Sequence, residues 1–221
     1  ANPRWPLGTS VVASAMPMGT VPLMANTVLG KSPFTGALWL LRLTGIIPLG
    51  AVVGGLLVLR LGARPLTVAG LALVGVGMFL ASGWGLDISD PQLTVHLLLA
   101  GFGFGLVIAP ITSHALGAVS DDYRGTAASL VVVSRMMGMT LGLAALSAWG
   151  VEHFQVLTAG LEFPLPLPGE AVGVFEARAA EYSANLNAAG LELFQKFFLT
   201  ASVISFIAIV PALGMKRGSP T

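Results

Sequence analysis

The chain has 221 residues, of which 55% are hydrophobic and 10% are charged, and its formal net charge is +1. Soluble domains carry about 25% charged residues, so this composition, with a mean hydropathy of +0.85, excludes a soluble protein and indicates a membrane protein. The chain has no cysteine, which excludes disulfides and thiolate metal sites.

Apolar runs of about 20 residues predict six membrane-spanning helices. The predicted spans are Leu7–Gly30, Phe34–Leu59, Leu66–Gly85, Leu93–Leu116, Thr126–Val151 and Leu191–Leu213. Prolines at positions 17, 22, 48 and 110 lie inside these spans. Such a proline marks either a bend that shapes a pathway or a packing kink without functional consequence.

An even number of spans places both termini on one side of the membrane. Most basic residues fall on that side: Arg4, Arg60, Arg64, Arg124, Lys216 and Arg217. The positive-inside rule therefore predicts a multi-pass protein of the plasma (inner) membrane with cytoplasmic termini. No signal peptide is predicted, and the absence of an initiator methionine indicates a processed, trimmed or partial chain.

One connection is long, and it divides the chain into three predicted parts. Residues 1–151 hold five spans, residues 152–190 form an external linker, and residues 191–221 hold the sixth span and a cytoplasmic tail. Three prolines between residues 164 and 168 predict an extended segment in the linker. Apolar residues then recur at spacings of three and four from Val172 to Leu186, which predicts an amphipathic helix on the outer surface. This helix is either a solvent-side connector or a lid over a ligand.

Two parts of the chain resemble each other faintly. Pro22 and Arg42-Leu-Thr-Gly45 in the first two spans are matched by Pro110 and Arg135-Met-Met-Gly138 in the fourth and fifth. Units of three spans must run in opposite directions through the membrane, as in inverted-repeat transporters. The predicted fold is therefore an all-α integral membrane protein of six helices, arranged as two inverted three-helix repeats.

The stretch from Gly101 to Gly142 reads as two apolar helices joined by a charged turn at residues 120–125. Glycines recur in both helices, at positions 101, 103 and 105 and again at 138 and 142. In lipid, small residues that let backbones approach mark the faces on which helices pack. We therefore expect close helix contacts along both segments.

Arg42 and Arg135 are the strongest functional candidates. A charge inside a span costs about 2.5–3.5 kcal/mol and normally faces a bundle interior or a cavity. Each arginine either lines a cavity that binds an anionic group or is tied to backbone carbonyls at a helix contact. No predicted span has a carboxylate near its middle, so we expect the partner to be a ligand, another chain or a missing part of this one.

Asn26 and His114 are further candidates for a cavity. His114 is a possible proton-coupling group, because an unperturbed imidazole titrates near neutrality. His96 lies near a span entrance, where we expect it to form a hydrogen bond. No nucleophile–base pair, metal-ligand spacing, phosphate loop or nucleic-acid patch is apparent. We therefore expect no enzymatic activity, no cofactor, no metal site and no nucleic-acid partner.

The residues Gly55, Arg60-Leu-Gly62 and Arg64 resemble the cytoplasmic signature loop of the major facilitator superfamily. The resemblance extends to its drug:proton antiporter branch, with fourteen-span multidrug exporters, through four further motifs: Pro22-Leu, Ala109-Pro110, Arg124-Gly125 and Arg135-x-x-Gly138. Two positions depart from the pattern, since Leu59 replaces the signature aspartate and Arg42 stands where relatives tend to have proline.

This resemblance implies the C-terminal half of a secondary transporter, paired in the bilayer with an N-terminal six-helix half or other membrane chains. It implies alternating access and proton-coupled efflux of a small amphiphilic or anionic compound. Within such a cavity, our candidate contacts are Arg42, Arg135, Asn26 and His114. Arg60 and Arg64 would act beside Arg124, either by pairing with Asp121, Asp122 or lipid phosphates or as simple membrane anchors.

A second hypothesis is a transport-inactive six-helix subunit that acts as a scaffold or partner in a larger membrane complex. The lost signature aspartate and the half size of the chain favour it. A membrane enzyme is a third alternative, without a catalytic pair in its support.

Overall fold

A computed structural model of the chain describes residues 20–117, 119–166 and 171–214, without the side chains of His114 and Ala115. All regular structure in these ranges is helical. Residues 20–27 form the described part of α1. The later helices are α2 (Pro33–Gly45), α3 (Ile47–Leu61), α4 (Ala63–Ser82), α5 (Asp90–Gly117), α6 (Arg124–Thr158), α7 (Val172–Ile207) and α8 (Ile209–Leu213). A 3-10 turn, Asp121–Tyr123, precedes α6.

Five described segments are long and apolar enough to cross a membrane. They are Pro33–Leu61, Ala63–Ser82, Asp90–Ser113, Asp121–Thr158 and Val172–Leu213. These segments match the second to sixth predicted spans, so the all-α membrane class is supported. The first predicted span, Leu7–Gly30, lies largely outside the described residues. The inverted-repeat arrangement stays a prediction.

The second span consists of two helices rather than one. Helix α2 ends at Gly45, Ile46 forms a turn, and α3 begins at Ile47. Pro48 causes this break, because it has no amide N–H to donate to the Thr44 carbonyl and its ring crowds the preceding turn. Pro110, by contrast, lies inside α5, which continues without interruption.

Helix α5 lies at the centre of the bundle and packs against α2, α3 and α4. A Cβ atom on Gly101 would overlap the Leu43 carbonyl oxygen of α2, and one on Gly105 would overlap the Ile47 carbonyl oxygen of α3. A Cβ on Gly103 would lie 2.7 Å from the Gly70 carbonyl oxygen of α4. The predicted glycine contacts along this helix are therefore confirmed.

The main core fills the space between α1, α2, α4, α5 and α7. Its largest fully buried side chains include Trp84, Met78, Leu97 and Phe198. Helix α6 packs more loosely at the edge of the bundle, and its buried residues form a single stripe: Val131, Gly138, Gly142, Leu146 and Gly150.

Helices α6 and α7 are longer than the sequence predicts. They contain 35 and 36 residues, or about 53 Å each at a rise of 1.5 Å per residue, whereas the hydrocarbon core of a bilayer is about 30 Å thick. The predicted amphipathic helix and the sixth span form one continuous helix, because no proline interrupts residues 172–207. Both predicted part boundaries, at 151/152 and 190/191, fall inside helices; the three-part division itself stays a prediction.

The connection between α6 and α7 folds back along α7. The Arg178 guanidinium donates a hydrogen bond to the Leu165 carbonyl oxygen over 2.9 Å. The ring of Phe163 meets the ring of Tyr182 edge-on, with centroids 5.6 Å apart. These contacts fix the extended segment to the first turns of the helix that follows it.

Candidate functional site

Arg42 has partners within this chain. Its Nη1 atom lies 2.9 Å from Thr94 Oγ1 and 3.3 Å from Asp90 Oδ1, both at the beginning of α5. The Arg42 side chain is 34% exposed and that of Asp90 is 72% exposed. The expectation that Arg42 needs a ligand or another chain as its partner is therefore wrong.

The physical reason lies in the direction of helical side chains, which lean toward the N-terminus of their own helix. Helix α2 begins at the end of the bundle where α5 also begins, which we term the Asp90 end. Arg42 therefore extends toward that end and reaches a carboxylate beyond the middle of the span. The sequence analysis considered only carboxylates near the middle of a span and therefore missed Asp90, the first residue of α5.

The hydroxyl group of Thr94 completes the contact. It accepts the hydrogen bond from Arg42 and donates one to the Asp90 backbone carbonyl over 2.8 Å. The guanidinium, the hydroxyl and the first turn of α5 thus form one short network between α2 and α5.

Arg135 differs from Arg42 in having no such network. It is half-buried on α6, on the same face as the buried residues Val131 and Gly138. Within the described part of the chain it makes no hydrogen bond and no salt bridge. Arg135 therefore stays a candidate for contact with a cargo or with another part of the protein.

The remaining predicted cavity residues give a divided result. Asn26 is exposed on α1, and its Oδ1 atom lies 2.8 Å from the position that a Cβ on Gly36 of α2 would take. His114 belongs to α5, but its side chain lies outside the described part of the structure. No hydrogen bond joins any two of the described side chains among Asn26, Arg42 and Arg135.

The predicted signature loop is a single residue between two helices. Gly62 has φ +82° and ψ 165°, a conformation essentially restricted to glycine. Arg60 lies exposed in the last turn of α3 and Arg64 half-buried in the first turn of α4. Gly55 lies on the inner part of α3, where a Cβ would sit 4.0 Å from the Ala109 Cβ.

The acidic residues before α6 have a local partner. The Arg124 Nη2 atom lies 2.8 Å from Asp121 Oδ1 in an exposed salt bridge. Asp121 therefore pairs within its own turn, and no ion pair joins it or Asp122 to Arg60 or Arg64 among the described side chains. For Arg60 and Arg64, contact with lipid phosphates and simple membrane anchoring both stay predictions.

A buried tryptophan joins three helices at the Asp90 end. The Trp84 indole N–H donates to His96 Nδ1 over 3.0 Å, so the expected hydrogen bond of His96 is confirmed. Gln195 of α7 donates to the Trp84 carbonyl oxygen over 2.7 Å, and Phe198 meets the indole edge-on at 5.3 Å. Sequence reasoning missed this cluster because its members lie far apart in the chain; Trp84 and Gln195, for example, are 111 positions apart.

A second missed cluster joins α6 to α7. Lys196 Nζ lies 2.7 Å from His153 Nε2 and 2.7 Å from Glu192 Oε1. Because an ammonium group can only donate, His153 Nε2 must accept this hydrogen bond. The His153 ring also stacks on Trp149 with centroids 5.1 Å apart. The i,i+4 spacings of Glu192 with Lys196 and of Trp149 with His153 were the local signals for it.

No group of three or more metal-ligating side chains converges among the residues that the structure describes. The polar contacts near the Asp90 end join helices to one another. Chemically, these sites can hold helices in place and form hydrogen bonds with a polar group at the membrane boundary.

Comparison with known proteins relates the chain to transporters. No family model matches it. The chain is 36% identical, over 94% of its length, to the triacylglyceride transporter of Mycobacterium tuberculosis (strain ATCC 25618 / H37Rv). It is 34% identical, also over 94% of its length, to the probable triacylglyceride transporter of Mycobacterium leprae and to the triacylglyceride transporter of Mycolicibacterium smegmatis.

The chain spans only part of these relatives: 42%, 43% and 39% of their respective lengths. Their names give a lipid cargo and do not mention drugs or protons, so the drug:proton antiporter branch stays a prediction. With five candidate spans in its described residues, the chain is an all-helical multi-pass membrane protein. It is similar to mycobacterial transporters over most of its own length but over less than half of theirs.

Proposed function

We propose that the chain is the C-terminal half of a secondary transporter that moves a lipid of the triacylglyceride kind by alternating access. The observation that carries this proposal is the 36% identity over 94% of the chain to a transporter named for that cargo. Because the chain spans 42% of that relative, an N-terminal six-helix half would supply the other wall of the pathway.

The composition of the described helices supports an apolar cargo. One face of α3 is lined by exposed large hydrophobic residues at spacings of three and four: Leu49, Val52, Leu56 and Leu59. Sites for apolar ligands are lined mainly by such side chains, with a few polar groups that orient the ligand. A triacylglyceride carries no charge, so its recognition does not require an arginine.

Arg135 is the charged residue that this proposal assigns to the pathway, together with Asn26 and His114. Arg42 is a weaker candidate, because Asp90 and Thr94 already occupy its guanidinium. Proton coupling and outward direction remain part of the proposal. A carboxylate that binds the proton would then lie in the N-terminal half.

The test uses the intact protein, encoded by the complete native reading frame, reconstituted into vesicles. Donor vesicles contain a triacylglyceride with a fluorescent acyl chain, and transfer to acceptor vesicles is followed with and without a pH gradient of either sign. We expect protein-dependent transfer that responds to the sign of the gradient. Transfer of an amphiphilic cationic dye but not of the lipid would support the drug antiporter branch instead.

Arg135→Ala is expected to lower lipid transfer about tenfold or more, because its guanidinium would no longer pair with a partner that the N-terminal half supplies during transport. Met136→Ala, which alters the adjacent and 53% exposed residue on α6, is the matched control and should transfer lipid normally. Equal transfer by both variants and the unaltered protein would remove Arg135 from the pathway.

A transport-inactive membrane subunit is the second candidate function. The observation in its favour is Leu59, an apolar residue at the position of the signature aspartate, which is 78% exposed at the end of α3. The length of the native reading frame separates the two candidates. A preceding six-span half would support the transporter, whereas a start codon immediately before the Ala1 codon would support the subunit or a half-transporter that pairs with itself.

A further inference from the structure

Helix α2 is attached to the rest of the bundle in an unusual way. Its buried residues, Gly36, Trp39 and Leu43, form one narrow face. The other faces carry exposed apolar side chains, including Phe34 at 73% and Leu41 at 61% exposure. The buried face packs on α5 and, at Gly36, on Asn26 of α1. Among the described residues, the other faces of this 13-residue helix make few contacts that oppose its movement away from α5.

The helical structure is interrupted at the end of α2. Gly45, Ile46 and Pro48 interrupt the helical hydrogen bonding between α2 and α3. A Cβ atom on Gly45 would meet nothing within 4 Å, so this point is not packed against any of the residues that the structure describes. Helix α3 beyond the break is fixed, because a Cβ on Gly54 would lie 3.0 Å from the Leu106 carbonyl oxygen of α5. Bends of this kind, at a few positions that end a helix, act as hinges.

The polar contact between α2 and α5 lies on the free side of this break. Arg42 reaches the first turn of α5, where it meets Thr94 at 2.9 Å and Asp90 at 3.3 Å. Both charged side chains are partly exposed, so the contact can exchange with water without burying an unpaired charge. An ion pair of this type is weak enough to open and specific enough to define a closed position.

We propose that α2 is a hinged arm, which turns at Gly45–Pro48 and is latched to α5 by the contact of Arg42 with Asp90 and Thr94. Arg42 is therefore a positioning residue that sets the closed state of α2. This proposal does not depend on the identity of the cargo or on transport by the chain.

These 221 residues contain no cysteine, and any cysteine in the rest of the intact protein is replaced by serine, so that a single introduced cysteine gives a direct test. Leu43, 3% exposed and facing α5, is replaced by cysteine in the intact protein, which is purified in detergent micelles. The rate at which a soluble maleimide labels this Leu43→Cys protein then reports how often α2 leaves α5. A separate Met78→Cys protein, altered at a residue of α4 that is 0% exposed, reports general loosening of the core.

Adding Asp90→Asn to the Leu43→Cys protein is expected to speed its labelling about two- to fivefold, the factor that an exposed ion pair contributes. Asp87→Asn is the matched control, because it removes an acidic group from the same connection and Asp87 has no ion pair within the described residues. It should leave the labelling rate at position 43 unchanged. Asp90→Glu, which keeps the charge, and Thr94→Val, which removes only the hydroxyl, test the two halves of the latch separately.

A double-mutant cycle identifies the contact itself. In a Leu43→Cys protein that also carries Arg42→Met, Asp90→Asn should have no further effect on the labelling rate. Three results would overturn the proposal: equal labelling rates for Asp90→Asn and Asp87→Asn, a parallel rise at positions 43 and 78, or additive effects of the two latch substitutions. Labelling requires no cargo, so failure of lipid transfer would leave this test intact.

Discussion

The hydroxyl group of Ser202 lies 2.8 Å from the carbonyl oxygen of Gly75 and donates a hydrogen bond from α7 to α4. Ser202 is 1% exposed, so water does not compete for this bond. Ser205, three residues further along α7, is 0% exposed but donates to Ala201 of its own helix over 2.8 Å. The two serines differ in whether their hydroxyl group joins neighbouring helices.

We predict that Ser202→Ala lowers stability by about 0.6 kcal/mol, the average measured for hydrogen bonds between membrane helices, and by at most about 1.7 kcal/mol, the largest value measured. Ser205→Ala should cost clearly less, because its hydroxyl bonds only within its own helix. Thermal unfolding of both variants in the same detergent measures the difference. Equal losses would show that packing around α7, and not the bond to Gly75, determines the effect at position 202.

The glycine contacts of α5 give a second prediction. Gly101→Ala would place a methyl group against the Leu43 carbonyl oxygen, a backbone atom that cannot rotate away. We expect a loss of about 1–3 kcal/mol in stability, as for overpacked cores. Gly117→Ala on the same helix is the control, because a Cβ there meets nothing within 4 Å. A thermal midpoint for Gly101→Ala equal to that of Gly117→Ala would contradict the observed approach of α2 and α5.

Those contacts were predictable from the sequence, and the reason is physical. Membrane helices have little hydrophobic drive to associate, so close packing requires small residues, and the run Gly101-Phe-Gly-Phe-Gly105 shows them directly. The spans were predictable for a related reason, since crossing a bilayer needs about 20 apolar residues. Both signals are local in the sequence.

Other features depend on what lies opposite in space. Arg42 pairs with Asp90 across 48 positions, and Trp84 with Gln195 across 111. Neither pairing leaves a periodic pattern. The sequence analysis also missed that α7 is one continuous helix over residues 172–207. Its first part is amphipathic and its second part is apolar, and this change was interpreted as the boundary between two helices. Hydropathy reports the surroundings of a helix and not where it stops.

Gly62 provides a third prediction, which isolates backbone conformation. Its φ of +82° suits glycine, and a Cβ there would meet nothing within 4 Å. Gly62→Ala should therefore lower stability by about 1–3 kcal/mol through conformational strain alone. Gly85→Ala, also free of neighbours but without a positive φ, is the control and should have little effect. Thermal unfolding compares the two variants. If Gly62→Ala left the thermal midpoint unchanged, the α3–α4 connection would relax easily.

The contact between His153 and Lys196 gives the fourth prediction. His153→Phe keeps an aromatic ring against Trp149, which stacks on the imidazole at 5.1 Å, but removes the nitrogen that accepts from Lys196. Loss of one partly exposed hydrogen bond should lower stability by about 0.5–1.5 kcal/mol.

The cycle of His153→Phe with Lys196→Met measures this coupling between α6 and α7 from the thermal unfolding of four proteins. We expect the double variant to lose less stability than the sum of the single variants, because both remove the same bond. Glu192→Gln serves as the control, since it weakens the ion pair within α7 and leaves the bond to His153 in place. Strict additivity would mean that the 2.7 Å contact contributes nothing to holding α6 against α7, and that the Gly150–Phe197 packing beside it does so alone.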